Sequence, residues 1–494
     1  MQQWPSHPFD DDKLKEECGV FGVIGVQDAA NFVALGMHAL QHRGQEAGGI
    51  ITYSPEQGFQ SAHRFGLVRD NFTSARLMET LPGSIGIGHV RYSTTGSKGA
   101  TAIRDVQPFF GEFSKGGAAI AHNGNITNAE AIRRELIERG SIFQSSSDSE
   151  CIVHLMARSI QKNIPDRMKD ALRRVEGAFS IVAMTRTKLI GVRDALGVRP
   201  LVLGRIGGHQ DGGWVLSSET CALDIIGADL IREVEPGEMV VIDRDGVTSS
   251  HPFDRSSSRF CIFEQVYFSR PDSILGGRSV YETRHQIGVE LAREAPVDAD
   301  LVCPVPDSGT PAAIGYSHES GIPFAMGITR NQYMGRTFIE PSEQIRNMGV
   351  RLKLNVNRAL VAGKRIVLVD DSVVRGTTSQ KIKQMILEAG AQEVHFRIAS
   401  PPTAWPCFYG VDTPERAKLL AARMTEDEMR DYIGVESLKF ISLDGLYRAA
   451  GARDGRNAAC PQFCDACFSG EYPVAPSDMI EKGFQLKGQS EAAE

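Results

Sequence analysis

The stretch from 365 to 400 constrains the fold more than any other part of the chain. In RIVLVDDSVVRGTTS, Ile366 to Val369 read as a buried strand, Asp370 and Asp371 lie at its C-terminal end, and Arg375 to Ser379 form a loop carrying Gly376. Ile382, Met385, Ile386 and Ala389 follow at helical spacing, and Gly390 is placed to stop the helix. VHFRIAS is the next strand-like run. A strand, a helix and a second strand in this order need a crossover, which predicts a parallel sheet. Upstream, LVCPVPDSG reads as another buried strand running into a polar turn.

The first half has a different grammar. CGVFGVIG, residues 18 to 25, alternates small and apolar residues as a buried strand does, and Asn31 is placed to cap a helix with Phe32, Leu35, Gly36, Ala39 and Leu40 on one face. FSIVAMT, KLIGVRD, PLVLGRI and WVLSSE are short strand-like runs separated by turn residues. The Ser-rich SSHPFDRSSS at 249 to 258 reads as a linker, and the polar residues 471 to 494 as a tail trailing along the surface. At roughly 150 residues per domain, a chain of 494 residues holds two or three domains.

Composition removes several classes of function. A net charge of -7 gives no general basic field, so nucleic-acid binding is disfavoured while small anionic substrates stay open. No run approaches the roughly 18 apolar residues of a membrane span. The first seventeen residues carry five acids against two lysines and no apolar core, which is unlike an export signal and predicts a cytoplasmic protein. Nine cysteines are an odd number for a disulfide framework, and three of them fall within 460 to 467; in a reducing compartment such clusters point to metal ligands or nucleophiles.

Cys18 stands between the acidic leader and the first strand-like run, so removal of residues 1 to 17 would make it an N-terminus. Its α-amine, with an ordinary pKa near 8, could then take the proton of its own thiol. Taken alone, Cys18 reads equally as a core cysteine. Neighbouring segments supply the other parts of acyl transfer. Arg91 in GHVRYSTTG could grip a carboxylate, Asn123 and Gly124 in AHNGN offer an amide and an open backbone N–H to an oxyanion, and Asp148 in SSSDSE suits an ammonium group. HNGN is also readable as a plain turn, and SSSDSE as a helix cap.

In their order, CGVFG, QHRGQEAGG, GHVRYST, HNGN and SDSE resemble the N-terminal-nucleophile glutamine amidotransferase domain over residues 18 to 250. The resemblance implies an α+β sandwich of αββα layers and a leader, residues 1 to 17, cut after Glu17. It implies that Cys18 attacks the carboxamide of glutamine and passes through a thioester. Asn123 and Gly124 would stabilise the oxyanion, Arg91 and Asp148 would hold the amino-acid backbone, and Arg43 would belong to the glutamine site and order it.

The loop after Asp370 and Asp371 has the makings of a phosphate site. Gly376 lets the backbone approach, Thr377, Thr378 and Ser379 add hydroxyls, and a helix N-terminus follows. The two carboxylates would face ribose hydroxyls directly or through magnesium. By spacing alone this could be any mononucleotide site. The pattern is similar to the phosphoribosyl pyrophosphate signature of type I phosphoribosyltransferases, a resemblance extending over about 260 to 450 and implying an α/β domain with a parallel sheet at 260 to 470. It further implies that Ser308 touches pyrophosphate and Mg2+ together with Asp370 and Asp371. The Arg- and Gly-bearing stretch 331 to 355 would be a lid, with Arg336 and Lys353 as pyrophosphate contacts; it also reads as a solvated basic loop.

Cys464 and Cys467 form a C-x-x-C that could hold a metal, with Cys460 just upstream; a zinc knuckle or a redox pair fits the spacing as well. An amidotransferase followed by a phosphoribosyltransferase resembles the glutamine phosphoribosylpyrophosphate amidotransferase family, in its leader-bearing, iron-sulfur branch. That resemblance implies one 4Fe-4S cluster per subunit on Cys261, Cys407, Cys464 and Cys467. It implies conversion of glutamine, water and phosphoribosyl pyrophosphate into glutamate, pyrophosphate and 5-phosphoribosylamine, the first step of purine synthesis, with ammonia passed between two sites. Inhibition by purine nucleotides, a homotetramer and no nucleic-acid or membrane partner complete the expectation. Two rivals stay open at this point, a nucleic-acid-binding regulator and an amidotransferase serving a different acceptor.

Overall fold

The computed structural model describes residues 15–16, 18–92, 100–114, 116–207, 212–253, 257–331 and 353–487. In the first half, the runs of small and β-branched residues pair into two antiparallel sheets. One runs Ala228–Glu233, Val202–Ile206, Trp214–Ser217, Gly19–Ile24, Ile85–Arg91, Ala47–Ser54 and Gly58–Phe65; the other runs Gly246–Ser250, Met239–Asp243, Leu189–Arg193, Gly177–Met184, Gly116–Ile126 and Phe109–Phe113. Inward residues of both, among them Val20, Ile51, Ile87, Ala121, Val182 and Leu216, fill one core between the sheets. The helix Ala29–Ala39 covers the outside of the first sheet, and Ala129–Glu138, Ser149–Arg158 and Ile164–Leu172 cover the second. Alternating strand faces bury one side against the partner sheet and the other against helices, which gives the expected αββα layers.

The first helix corrects the reading of its cap and face. It starts at Ala29, after Asp28 in the left-handed region, not at Asn31. Its buried face is Ala29, Ala30, Val33, Ala34, Gly36, Met37 and Ala39, and Leu35 is 45% exposed. Gly36, Ala39 and the following Leu40 are buried as expected, whereas Phe32 is only partly buried: the inward face is turned toward Val33 and Met37.

The second half is built on the parallel strands Leu301–Pro304, Arg365–Asp370, Glu393–Ile398 and Ser437–Phe440. Apolar clusters flank both faces, one packing the helix Thr377–Glu388 and the other packing Val280–Glu294 and Thr310–Ser320. Gly390, at φ 98°, follows that first helix as anticipated. The described part of the C-terminal tail runs over the surface but is anchored there. Its Asp478 carboxylate accepts the N–H groups of Glu130 and Ala131 at 2.7 and 3.2 Å, capping a helix of the first domain, and Tyr472 donates to the Pro406 carbonyl at 2.6 Å. The polar composition that suggested a loose tail is the chemistry that satisfies orphan helix donors. No described helix is long and apolar enough to cross a membrane.

Candidate active sites

Cys18 directly precedes the strand Gly19–Ile24 and is half-buried, with φ 80°. Gly19 pairs with Val90 across to Ile85–Arg91, so Arg91 ends the neighbouring strand at the edge where Cys18 begins. Asn123 and Gly124 come from the facing sheet. Asn123 is fully buried; its side-chain amide reaches the Ser218 hydroxyl at 3.5 Å, and the same hydroxyl accepts the Val20 N–H at 3.0 Å. Asn123 Oδ1 is buried without a hydrogen-bond partner. Ser218 thus ties the strand bearing Asn123 and Gly124 to the strand that Cys18 heads.

Gly124 sits at φ 139°, and a Cβ there would lie 2.0 Å from the Ala178 carbonyl oxygen, so only glycine fits. Asp148, at the start of Ser149–Arg158, accepts the Ile126 N–H at 2.9 Å, two residues along the same strand. Arg91 lies 3.8 Å from Asp105, which accepts from both the backbone and hydroxyl of Ser146 in the SSSDSE turn. Arg91 and Asp148 are therefore linked to one rim. Behind it, His122 contacts Ser149 at 2.8 Å, and His89 donates to the His122 carbonyl at 3.1 Å. Burial pushes the His89 imidazole down to about 3, and burial lowers His122 as well, against the pull of Asp148, so both stay neutral.

Arg43 requires a correction. Its guanidinium is fully buried and pairs with Glu219 and, at 2.8 Å, with Glu264, so it does not line an open glutamine site. Glu264 also pairs with Arg199 at 3.0 Å, and Glu219 accepts from Ser273 at 2.7 Å and the Arg270 N–H at 2.9 Å. Burial opposes the charge on Glu219, yet Arg43 and His42 hold its carboxyl well below the usual range. This buried network joins the two domains through Arg43, Arg199, Glu219 and Glu264. Sequence reading missed the last three, because no local pattern names partners so distant in the chain.

At the second candidate site, Asp370 and Asp371 are buried at the C-terminal end of the central parallel strand. The Asp371 carboxylate accepts from Ser308 and, at 2.6 Å, from Ser372; Asp370 Oδ1 accepts the Asp371 N–H at 2.9 Å. Ser308 is thereby brought to the two carboxylates. Gly376, at φ 79°, turns the chain into Thr377–Glu388, placing Thr377, Thr378 and Ser379 in its first turn. This is the position, beyond the carboxyl ends of parallel strands, where open α/β sheets take ligands. Lys353 adjoins the strand Leu354–Val356, which pairs with Ile328–Arg330, and its carbonyl accepts the Asn331 N–H at 2.8 Å. Arg330, which sequence reading did not single out, reaches Asp307 beside Ser308 at 2.8 Å. Arg336 and most of the expected lid lie outside the described residues.

Cys261, Cys407, Cys464 and Cys467 come together from three segments and pack in one cluster. Burial pushes the Cys261 thiol up to about 12 and also raises Cys464 and Cys467, and repulsion from neighbouring cysteine sulfurs adds to this. Cys460 is exposed, with its sulfur 3.8 Å from the Ser257 hydroxyl. Among the described residues no group of three or more His, Cys, Asp or Glu is arranged to hold a metal ion. Lys15–Glu16 of the leader pairs antiparallel with Val411–Asp412, just beyond Cys407.

Residues 94–224 match a family model described as a glutamine amidotransferase domain. An amidophosphoribosyltransferase of Rhizobium etli is 57% identical over 487 residues, covering 97% of this chain and 96% of that one. The chain belongs to the amidophosphoribosyltransferase family. A chloroplastic member, amidophosphoribosyltransferase 1 of Arabidopsis thaliana, is 49% identical over 96% of this chain and 81% of its own. A solved glutamine phosphoribosylpyrophosphate amidotransferase from B. subtilis, complexed with ADP and GMP, superposes with a TM-score of 0.86 at 43% identity, covering 93% of this chain and 98% of that one. Membership makes this chain a phosphoribosyltransferase with glutamine amidotransferase activity in purine biosynthesis, and it removes both rival readings.

Proposed function

We propose that residues 18–250 hydrolyse glutamine at Cys18 and that residues 260–470 join the released ammonia to phosphoribosyl pyrophosphate, forming 5-phosphoribosylamine, glutamate and pyrophosphate. The observation that carries this reading is the pairing, in one chain, of a buried Asn123, followed by Gly124 in the same strand and tied to the Cys18 strand, with a Ser308–Asp370–Asp371 cradle ahead of the Gly376 helix entrance. Loss of residues 1–17 frees the Cys18 amine, which takes the thiol proton as sulfur attacks the carboxamide carbon. Asn123 and the Gly124 N–H hold the oxyanion while Arg91 and Asp148 fix the amino-acid end. Ammonia leaves, and water cleaves the thioester to glutamate.

At the second site Thr377, Thr378 and Ser379, with the helix N-terminus, hold the 5-phosphate, while Arg336 and Lys353 contact pyrophosphate. Asp370 and Asp371 orient the ribose, and with Ser308 they have the hard oxygen donors that Mg2+ takes. Mg2+ there would neutralise charge on the leaving pyrophosphate. Because ammonium is not a nucleophile, the two sites need a sheltered path, and residues 331–355 close it over the sugar phosphate.

The four converging cysteines would hold one 4Fe-4S cluster, thiolate sulfur being the ligand such clusters take. Such a cluster would cross-link the three segments. Purine nucleotides as inhibitors, supported by the ADP and GMP complex of the B. subtilis relative, a homotetramer and a cytoplasmic location belong to the same reading. Its test is nitrogen-donor dependence: the purified enzyme should consume phosphoribosyl pyrophosphate with glutamine or ammonia, and Cys18→Ala should abolish only the first. Equal loss of both would overturn the division of labour.

A further inference from the structure

The turn after Cys407 is held against the first domain at three successive residues, two of which meet the strand end that carries Asn123 and Gly124. Asn125, next to Gly124, donates its side-chain amide to the Phe408 carbonyl at 2.9 Å. Arg199 donates to the Tyr409 carbonyl at 2.7 Å while its other arm pairs with Glu264 at 3.0 Å. Gly410, at φ 104°, then meets Gly124 backbone to backbone: a Cβ at 410 would stand 3.0 Å from Gly124 Cα and 3.1 Å from its carbonyl carbon. The Ala178 carbonyl occupies the space that a side chain at Gly124 would need. Gly124 thus pairs with a strand of its own domain and is approached by a turn of the other.

We propose that Gly410, with the Phe408 carbonyl, is a positioning element for glutamine hydrolysis, setting where the Gly124 N–H points although it touches no substrate. The proposal rests on the assignment of Asn123 and Gly124 to the oxyanion. A donor N–H stabilises a tetrahedral oxyanion only when aimed at where that oxygen forms, and small misplacements cost rate more than binding. Two features make Gly410 the sensitive point. Its φ is one that L side chains rarely adopt, and any added carbon pushes on the Gly124 backbone, where nothing flexible can yield. The same turn begins at Cys407, so the second domain reaches the oxyanion site through its own cysteine segment.

The test is Gly410→Ala and, separately, Asn125→Ala in the full-length enzyme, with glutamine kcat and KM, and ammonia-dependent consumption of phosphoribosyl pyrophosphate, measured on the same preparations. Gly410→Ala should lower glutaminase kcat by about 10- to 100-fold, leave the glutamine KM within about twofold, and keep ammonia-dependent synthesis near the parent rate. Unchanged kcat, or a rise in KM alone, would overturn the proposal. If Gly410→Ala loses both activities by failing to fold, Asn125→Ala decides: a kcat lower by about tenfold at constant KM upholds positioning, and the parent kcat refutes it. An unsubstituted enzyme without ammonia-dependent synthesis would instead refute the assignment of the two sites.

Discussion

Cys261 and Cys464 stand directly opposite each other in a two-strand parallel ladder, Phe260–Cys261 against Phe463–Cys464. Paired residues in a ladder point to the same face, so the register sets two sulfurs side by side before Cys407 and Cys467 close the group. Cys261→Ser and Cys464→Ser should therefore lose bound iron and acid-labile sulfide, while Cys460→Ser keeps both. Elemental analysis of anaerobically purified protein checks this; one zinc per chain in place of iron would contradict it.

Asp371 accepts from Ser308 and Ser372 at the mouth of the parallel sheet. Asp371→Asn halves the anionic charge available to a cation and to ribose hydroxyls. It should reduce synthesis by about 100-fold with either nitrogen donor, whereas Cys18-dependent hydrolysis of glutamine persists. Steady-state rates with glutamine, with ammonia, and for glutamate release alone separate the two effects.

Glu264 carries two guanidiniums, those of Arg43 and Arg199, in full burial. Removing one partner of a buried pair strands charge, at a cost of about 3–5 kcal/mol. Glu264→Ala should lower the urea midpoint accordingly, and an unchanged midpoint would remove this network from the forces joining the domains.

His89 is kept neutral by burial, its pKa pushed down to about 3 against an ordinary value of 6.5. Since the unfolded chain binds this proton first, the contribution is complete above pH 6.5 and is lost as pH falls from there toward 3, reaching about 5 kcal/mol at the lower end. His89→Gln, which can still donate to the His122 carbonyl, should flatten the fall in thermal stability between pH 6.5 and 5. Parallel curves for the two proteins would count against it.

How much of this was legible in the sequence follows from chain distance. The strand, Asp370–Asp371, Gly376 and helix are contiguous, so local periodicity and turn chemistry sufficed, and the HNGN and SDSE segments were recognisable for the same reason. Arg43 was legible as a residue of the site but not as the partner of Glu219 and Glu264, which are 176 and 221 positions away. Asp478 looked like part of a loose polar tail because its value as a cap depends on a helix start at Ala129. Leu35 was misread because hydrophobicity alone does not fix how the helix is turned on its sheet, and Val33 and Met37 take the inward face instead.

The most direct measurement compares two chains whose N-termini are verified by intact mass: one beginning at Cys18, the other with a single alanine retained before it. The first should hydrolyse glutamine and transfer its nitrogen, while the second should make 5-phosphoribosylamine from ammonia alone. Full glutamine-dependent turnover by the alanine-extended chain would contradict the account, because its Cys18 has no free amine.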